Sequence, residues 1–409
     1  SAYTFTYTTV GEIVAWVIGW DLILEMLMAG SVVSKYWGVY LNQFFELIGW
    51  NINTNIAIGS FNFDLAPVII VAFFTALLVM GTKIGARVDG ALTILKIAIV
   101  VFIVVVGFFY IKAENFTPFI PPSEPAASTD GSGVSAVMEQ PLWQWATGMA
   151  PSIYGVTGII SGAALVFFAF LGFDVVATAS EETINPKKNV PLGIGVGLGL
   201  IIVLYTLVAI VTTGMVSYKD LAKQSDPSLA VAFKMVGADW AAKIISLGIV
   251  IGMATVVMVL LLGLTRVVFA MSRDGLLPRG LSHTGKHGTP VRLQIIVGVV
   301  MALIAACCNV GILSDMVNIG TLSAFTLVAI SIPIMRKKRP DLERSFKIPG
   351  NPWVPILIAL ANLWLMVNLS VLTWIRFVVW LIVGFAIYFG YGYRHARLGA
   401  GELEVAAQE

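Results

Sequence analysis

Long apolar runs alternate with short polar connections along the chain, and the runs have the length of membrane-spanning helices. A helix rises about 1.5 Å per residue, so about 20 residues cross the ~30 Å hydrocarbon core of a bilayer. Ten stretches qualify as spans: about 10–34, 65–84, 90–111, 155–180, 192–215, 244–270, 293–309, 312–334, 353–372 and 375–393. The last two pairs have such short connections that helical hairpins are expected. Segments of about ten strictly alternating residues, the mark of a transmembrane barrel, are not seen. The pattern predicts an all-α integral membrane protein with one transmembrane domain over residues 1–409.

Polar positions inside the runs are few, and each is a functional candidate because burying it in hydrocarbon is costly. The first run, "VGEIVAWVIGWDLILEMLMAGSVV", carries Asp21 and Glu25. Four residues apart, they share a helix face and repel, so a proton on one or a cation nearby is expected. The third run supplies a cation in Lys96, two turns in from Asp89. Two plainer readings stay open: Lys96 snorkelling back to the interface, and Asp21 with Glu25 as a structural polar seam.

The fourth run, "GIISGAALVFFAFLGFDVVATAS", is interrupted by Gly172 and Asp174. A helix that unwinds while buried in protein leaves carbonyls without intrahelical partners, at the negative end of the helix dipole, where an ammonium group fits. The expected first half-helix ends near Phe168 and Ala169, and Asp174 caps the second. An intact helix with a packing glycine is the alternative. Broken midplane helices are how secondary transporters hold polar substrates.

Composition agrees with the solvent read from the pattern. Only 12% of the 409 residues are charged, against about a quarter in soluble domains, and mean hydropathy is +0.90. If the first span leaves the cytoplasm, one side collects Lys187, Lys188, Arg273, Arg279, Arg336, Lys337, Lys338 and Arg339 among others. The other holds the sparser set Lys35, Lys112, Lys219, Lys223, Lys234, Lys243 and Arg376. This bias puts both termini in the cytoplasm. No basic run interleaved with aromatics points to nucleic acid. Cys307 and Cys308 read as small buried hydrophobes, and the three histidines form no metal pattern. No cofactor, bound metal or enzymatic activity is expected.

The interrupted run and its sequel, "FFAFLGFDVVATASEETINPKKNVPLGI", resemble the sixth transmembrane segment and following loop of permeases in the amino acid, polyamine and organocation superfamily. Within it, the closer similarity is to the cationic amino acid transporter group and its bacterial homologues. "SAYTFTYTTVGEIVAWVIGWDLILE" resembles the entry to their third segment, and "LTILKIAIVV" with "AENFTPFIPP" the fifth and its exit. "GLTRVVFAMSRDGLLP" resembles the end of the eighth, and "RKKRPDLERSFKIPGNPWVP" the loop after the tenth.

The resemblance covers nearly the whole chain and implies a leucine-transporter-like inverted-repeat fold working by alternating access. It also implies roles. The carbonyls of Phe168, Ala169 and Leu171 would bind the substrate α-ammonium, with Phe170 or Phe168 closing the site. Lys96 would stand where sodium-coupled relatives hold sodium, favouring proton coupling, with Glu25 and Asp174 as relay partners and Asp21 beside them. On the eighth segment Gly252, Thr255 and Met258 share a face; Thr255 would complete the counterpart of the ion site, and Met258 would limit substrate size. The family's carboxylate-binding mate of the broken segment is not assignable here. About ten of twelve helices are expected, the first two being absent, and a protein beginning at Ser1 is expected not to carry out coupled transport.

The expected function is a proton-coupled amino acid permease of the bacterial plasma membrane for small neutral or cationic amino acids. Its partners are the amino acid, protons and the bilayer, with a small accessory subunit left unknown. Two alternatives stand: a non-transporting amino acid sensor or permease fragment, and a sodium-coupled carrier. A latch between Glu181 or Glu182 and Arg266 or Arg273, and a short helix within 217–243 lidding the outer vestibule, are further expectations.

Overall fold

A computed structural model describes residues 3, 11–50, 52, 54–58, 61–81, 86–126, 136–173, 183–224, 227–283, 289–338, 340 and 347–396. Its central post is α1 (Glu12–Leu47), 36 residues long. At about 1.5 Å per residue this helix spans roughly 54 Å, well beyond the hydrocarbon core. Hydropathy alone ends the run near residue 34, yet the helix continues to Leu47 because its polar extension finds partners. Lys35 Nζ donates to the carbonyls of Ala305 (3.1 Å) and Cys308 (2.5 Å), and Asn42 Nδ2 donates to Thr54 Oγ1 (2.9 Å).

A two-stranded antiparallel ribbon follows, β1 (Asn55–Ile58) with β2 (Phe61–Asp64). The Asp64 carboxylate accepts from the amide of Ala66 and so caps α2 (Leu65–Val79). After α3 (Ala86–Phe108), a connecting region holds β3 (Glu124–Pro125) paired with β4 (Ser152–Ile153). Two short helices, α4 (Ala136–Glu139) and α5 (Leu142–Thr147), lie between those strands. Next come α6 (Gly155–Val166) and α7 (Pro186–Met215). The region expected to lid the vestibule holds α8 (Tyr218–Ala222) and α9 (Leu229–Met235). The latter is tied to the end of α1: the Leu229 amide donates to Tyr40 Oη, and Lys234 pairs with Glu46 at 2.9 Å.

The remaining helices are α10 (Asp239–Arg273), α11 (Val291–Cys307), α12 (Val310–Lys338), α13 (Trp353–Val367) and α14 (Val371–Ile387). A π turn at Tyr388–Gly392 and α15 (Tyr393–His395) close the described chain. Six helices are long and apolar enough to cross a membrane, and four more apolar helices are shorter, among the described residues. The protein is an all-α integral membrane protein.

Between membrane helices, association rests on close van der Waals packing and interhelical hydrogen bonds rather than on escape from water. The long faces of α10 and α12 enclose α1. One apolar cluster gathers Trp16, Met26, Leu261, Leu264 and Met301 from α1, α10 and α11. Small residues set the seams: a Cβ at Gly263 would stand 3.0 Å from the Sδ of Met26. A second cluster joins Ile103, Val211, Phe233 and Ile245. A third places Leu24 of α1 against Ala164 of α6 and Ile319 and Leu322 of α12. This last cluster fixes the end of α6 beside the post, and α7 turns Leu192, Val196, Leu200 and Val203 outward.

Candidate functional site

Helix α6 stops at Val166 and tightens into a 3-10 turn over Phe167–Phe170. Leu171 is extended, and Gly172 takes φ +106°, a backbone conformation that L residues rarely adopt. The consecutive bulky residues of "VFFAFLGF" therefore lie on an interrupted segment, with the glycine as its positive-φ residue. Asp174, Glu181 and Glu182 lie outside the described residues, so the expected cap and latch do too. Ahead of α7, Asn185 is left-handed (φ 51°) before Pro186 opens the helix.

Ending a helix frees the carbonyls of its last turn, and here side chains from two other helices reach them. Asn318 of α12, fully buried, donates from Nδ2 to the Leu165 carbonyl at 2.9 Å. Tyr205 of α7 donates from its hydroxyl to the Ala169 carbonyl at 2.9 Å, and its ring lies 5.3 Å from that of Phe170. The Phe168 carbonyl accepts the Leu171 amide at 3.2 Å. Phe325 of α12 meets Phe167 on one side of the interruption (6.2 Å) and Phe173 on the other (5.2 Å).

Two cavities flank this segment. One, about 1060 Å³, is lined by Lys35, Asp64, Leu165, Val166, Phe168 and Asp315 among others. The second, about 970 Å³, is lined by Phe116, Tyr154, Gly162, Leu165, Thr213 and Asp315 among others. Leu165 and Asp315 face both, so the end of α6 and the start of α12 form the wall between them. Asp315 is held there by Thr373, whose hydroxyl donates to Oδ2 at 3.0 Å. Lys219 pairs with Glu124 at 2.7 Å, and the carboxylate pushes the lysine pKa above its ordinary value. The same ammonium lies 5.3 Å from the centre of the Tyr154 ring.

The structure assembles the sequence candidates into separate groups. Phe168, Ala169, Phe170 and Leu171 are the interruption itself. Lys96 lies against α10: a Cβ at Gly252 would stand 3.2 Å from its Cγ. Thr255, one turn on, is buried and donates from Oγ1 to the Gly252 carbonyl at 3.0 Å. Lys96, Gly252 and Thr255 are thus one locus. Asp21 and Glu25 are both buried on α1. Ser323 of α12 is the hydroxyl that faces the Asp21 carboxylate. Gly320 sets how closely α12 approaches α1 here, since a Cβ there would stand 3.0 Å from Cδ2 of Leu24. Met258 packs against the central apolar cluster. Neither cavity is lined by Lys96, Thr255, Met258 or Asp21.

Three residues at the interruption escaped the sequence reading: Asn318, Tyr205 and Phe325. The available signal was an amide inside an apolar run, "DMVNIGTLSAF", and a survey confined to ionisable groups passes over it.

Comparison with known proteins places the chain in a family. Residues 1–390 match the family model described as "Amino acid permease". The branched-chain amino acid permease BcaP of Bacillus subtilis is 40% identical over 97% of this chain and 80% of its own length. The methylthioribose transporter of the same organism is 39% identical over the same shares. Human cationic amino acid transporter 4 is 27% identical over 98% of this chain and 78% of its own.

Proposed function

Because the chain belongs to the amino acid permease family, and is therefore a multi-pass membrane transporter and not an enzyme, we propose that it is a proton-coupled amino acid carrier working by alternating access. The observation that carries this reading is the interruption at Val166–Gly172. A carbonyl oxygen has two acceptor positions. The Tyr205 bond at Ala169 therefore leaves a second one for a substrate ammonium, at the negative end of the α6 dipole. Phe168, on the wall of the larger cavity, supplies the apolar cover.

Proton rather than sodium coupling is favoured by Lys96, a cation set beside Gly252 and Thr255 on α10, together with the buried carboxylates Asp21 and Glu25 on α1. A fixed ammonium repels a sodium ion and exchanges a proton. For the substrate we propose small neutral or cationic amino acids. The 40% and 39% relatives carry different names for what they move, so substrate choice rests on the site. Residence in the plasma membrane with both termini cytoplasmic completes the proposal, on the strength of the basic loops.

Reconstituted into vesicles with an alkaline interior, the protein is expected to accumulate labelled alanine or arginine without sodium and to lose that drive in Lys96→Ala. Uptake that requires sodium and survives Lys96→Ala would replace this reading with sodium coupling. Binding without exchange would replace it with a sensor.

A further inference from the structure

Among the described residues, two side chains from different helices donate to carbonyls of the interrupted segment. Asn318 belongs to α12 and reaches Leu165 across 153 sequence positions; Tyr205 belongs to α7 and reaches Ala169 across 36. Resting on the transport reading above, we infer that Asn318 and Tyr205 are positioning residues that orient the carbonyls of the interruption for the substrate's N–H groups.

A carbonyl inside an α-helix points along the axis because the amide four residues on holds it. Where the helix ends, that restraint goes, and the peptide plane librates unless another donor fixes it. Leu165 is in the last α-helical turn, and Ala169 is inside the 3-10 turn. Asn318 and Tyr205 each supply a donor at 2.9 Å, within the preferred range for such bonds.

The surroundings make both donors directional. Asn318 is 0% exposed, on the helix whose neighbouring turns bury Ile319 and Leu322 against Leu24. The Tyr205 ring is held at 5.3 Å from Phe170, one residue past the carbonyl its hydroxyl meets. A carbonyl oxygen already engaged along one lone pair presents its other in a defined direction. Pre-orientation of this kind raises affinity by removing an ordering cost from the bound state. It acts on N–H donors alone: an apolar side chain entering the cavity gains nothing from it.

That selectivity separates positioning from a merely structural role. The readout is the ratio of half-saturation constants for L-alanine and N-methyl-L-alanine, which has one N–H fewer, measured by counterflow in proteoliposomes. We expect wild type to favour alanine and both Asn318→Leu and Tyr205→Phe to reduce that preference about three- to tenfold, as alanine weakens and the methylated analogue changes little. A variant that only folds less well lowers the maximal rate and leaves the ratio where it was; that result in both variants overturns the inference. If Asn318→Leu does not fold, Tyr205→Phe, which removes a single oxygen, decides alone: an unchanged ratio overturns and a reduced one supports. Absence of exchange of any amino acid by wild type overturns the transport reading and, with it, the inference that rests on it; an active wild type with unchanged ratios overturns only the inference.

Discussion

Replacing Gly172 with alanine isolates one property of the interruption, its backbone sign. At Gly172 φ is +106°, and an added Cβ would meet nothing within 4 Å. Gly162, ten residues earlier in the same segment, is equally open but lies inside regular α6. Both substitutions add one methyl to free space, so packing cancels and the backbone decides. Holding a non-glycine residue in a sparsely populated region costs about 1–3 kcal/mol, whereas alanine for glycine within a helix gains about 0.5–1 kcal/mol. Gly162→Ala and Gly172→Ala should therefore differ by about 1.5–4 kcal/mol. At 1.4 kcal/mol per decade, that is more than tenfold in the population of the interrupted conformer. Thermal unfolding in detergent measures the stability side, and amino acid counterflow measures the other. Gly162→Ala is expected at or slightly above wild-type stability with exchange intact. Gly172→Ala is expected to lose stability, or to keep it by rotating to negative φ and re-forming helix, with exchange lost. Wild-type stability and exchange together in Gly172→Ala would refute the argument.

Other outcomes follow from the packing and the ion pairs. A Cβ at Gly248 would stand 2.5 Å from Cγ1 of Ile99, whose position is set by the stiff χ1 of a β-branched residue, so Gly248→Ala should cost about 1–3 kcal/mol; at Gly263 the neighbour is the adaptable Met26, and Gly263→Ala should be milder in the same melt. Lys35→Met removes the donor to Ala305 and Cys308 at the end of α11 and should cost about 0.3–1 kcal/mol, with a melting point equal to wild type as the contrary result. Glu124 raises the Lys219 pKa, so this pair adds stability below the unfolded lysine pKa and loses it as pH climbs through the raised folded value. In Glu124→Gln the Lys219 ammonium should titrate at lower pH, read from the resonance of its isotopically methylated amine.

Much of the architecture is legible in the apolar runs because bilayer thickness is a stringent ruler. Where the ruler fails, the cause is specific. Helix α1 outlasts its apolar run because Lys35 and Asn42 satisfy themselves outside hydrocarbon, and hydropathy registers solvent, not hydrogen bonding. The interruption is legible through Gly172, since only glycine tolerates its φ at no cost. Its supporting residues are not: Asn318 and Tyr205 act through contacts that exist only once α12 and α7 have packed beside α6. The neighbourhood of Lys96 and Thr255 is half legible, with Gly252 and Thr255 one turn apart in sequence and Lys96 arriving from α3.

The Phe325 ring touches Phe167 before the interruption and Phe173 after it. Any swing of the later part of the segment against the earlier must separate at least one of these ring pairs, unless α12 travels with both. A fluorinated phenylalanine at position 325 would therefore act as a built-in reporter. Its resonance would divide into as many signals as the segment has arrangements, and their relative areas would count the populations without a label on the substrate.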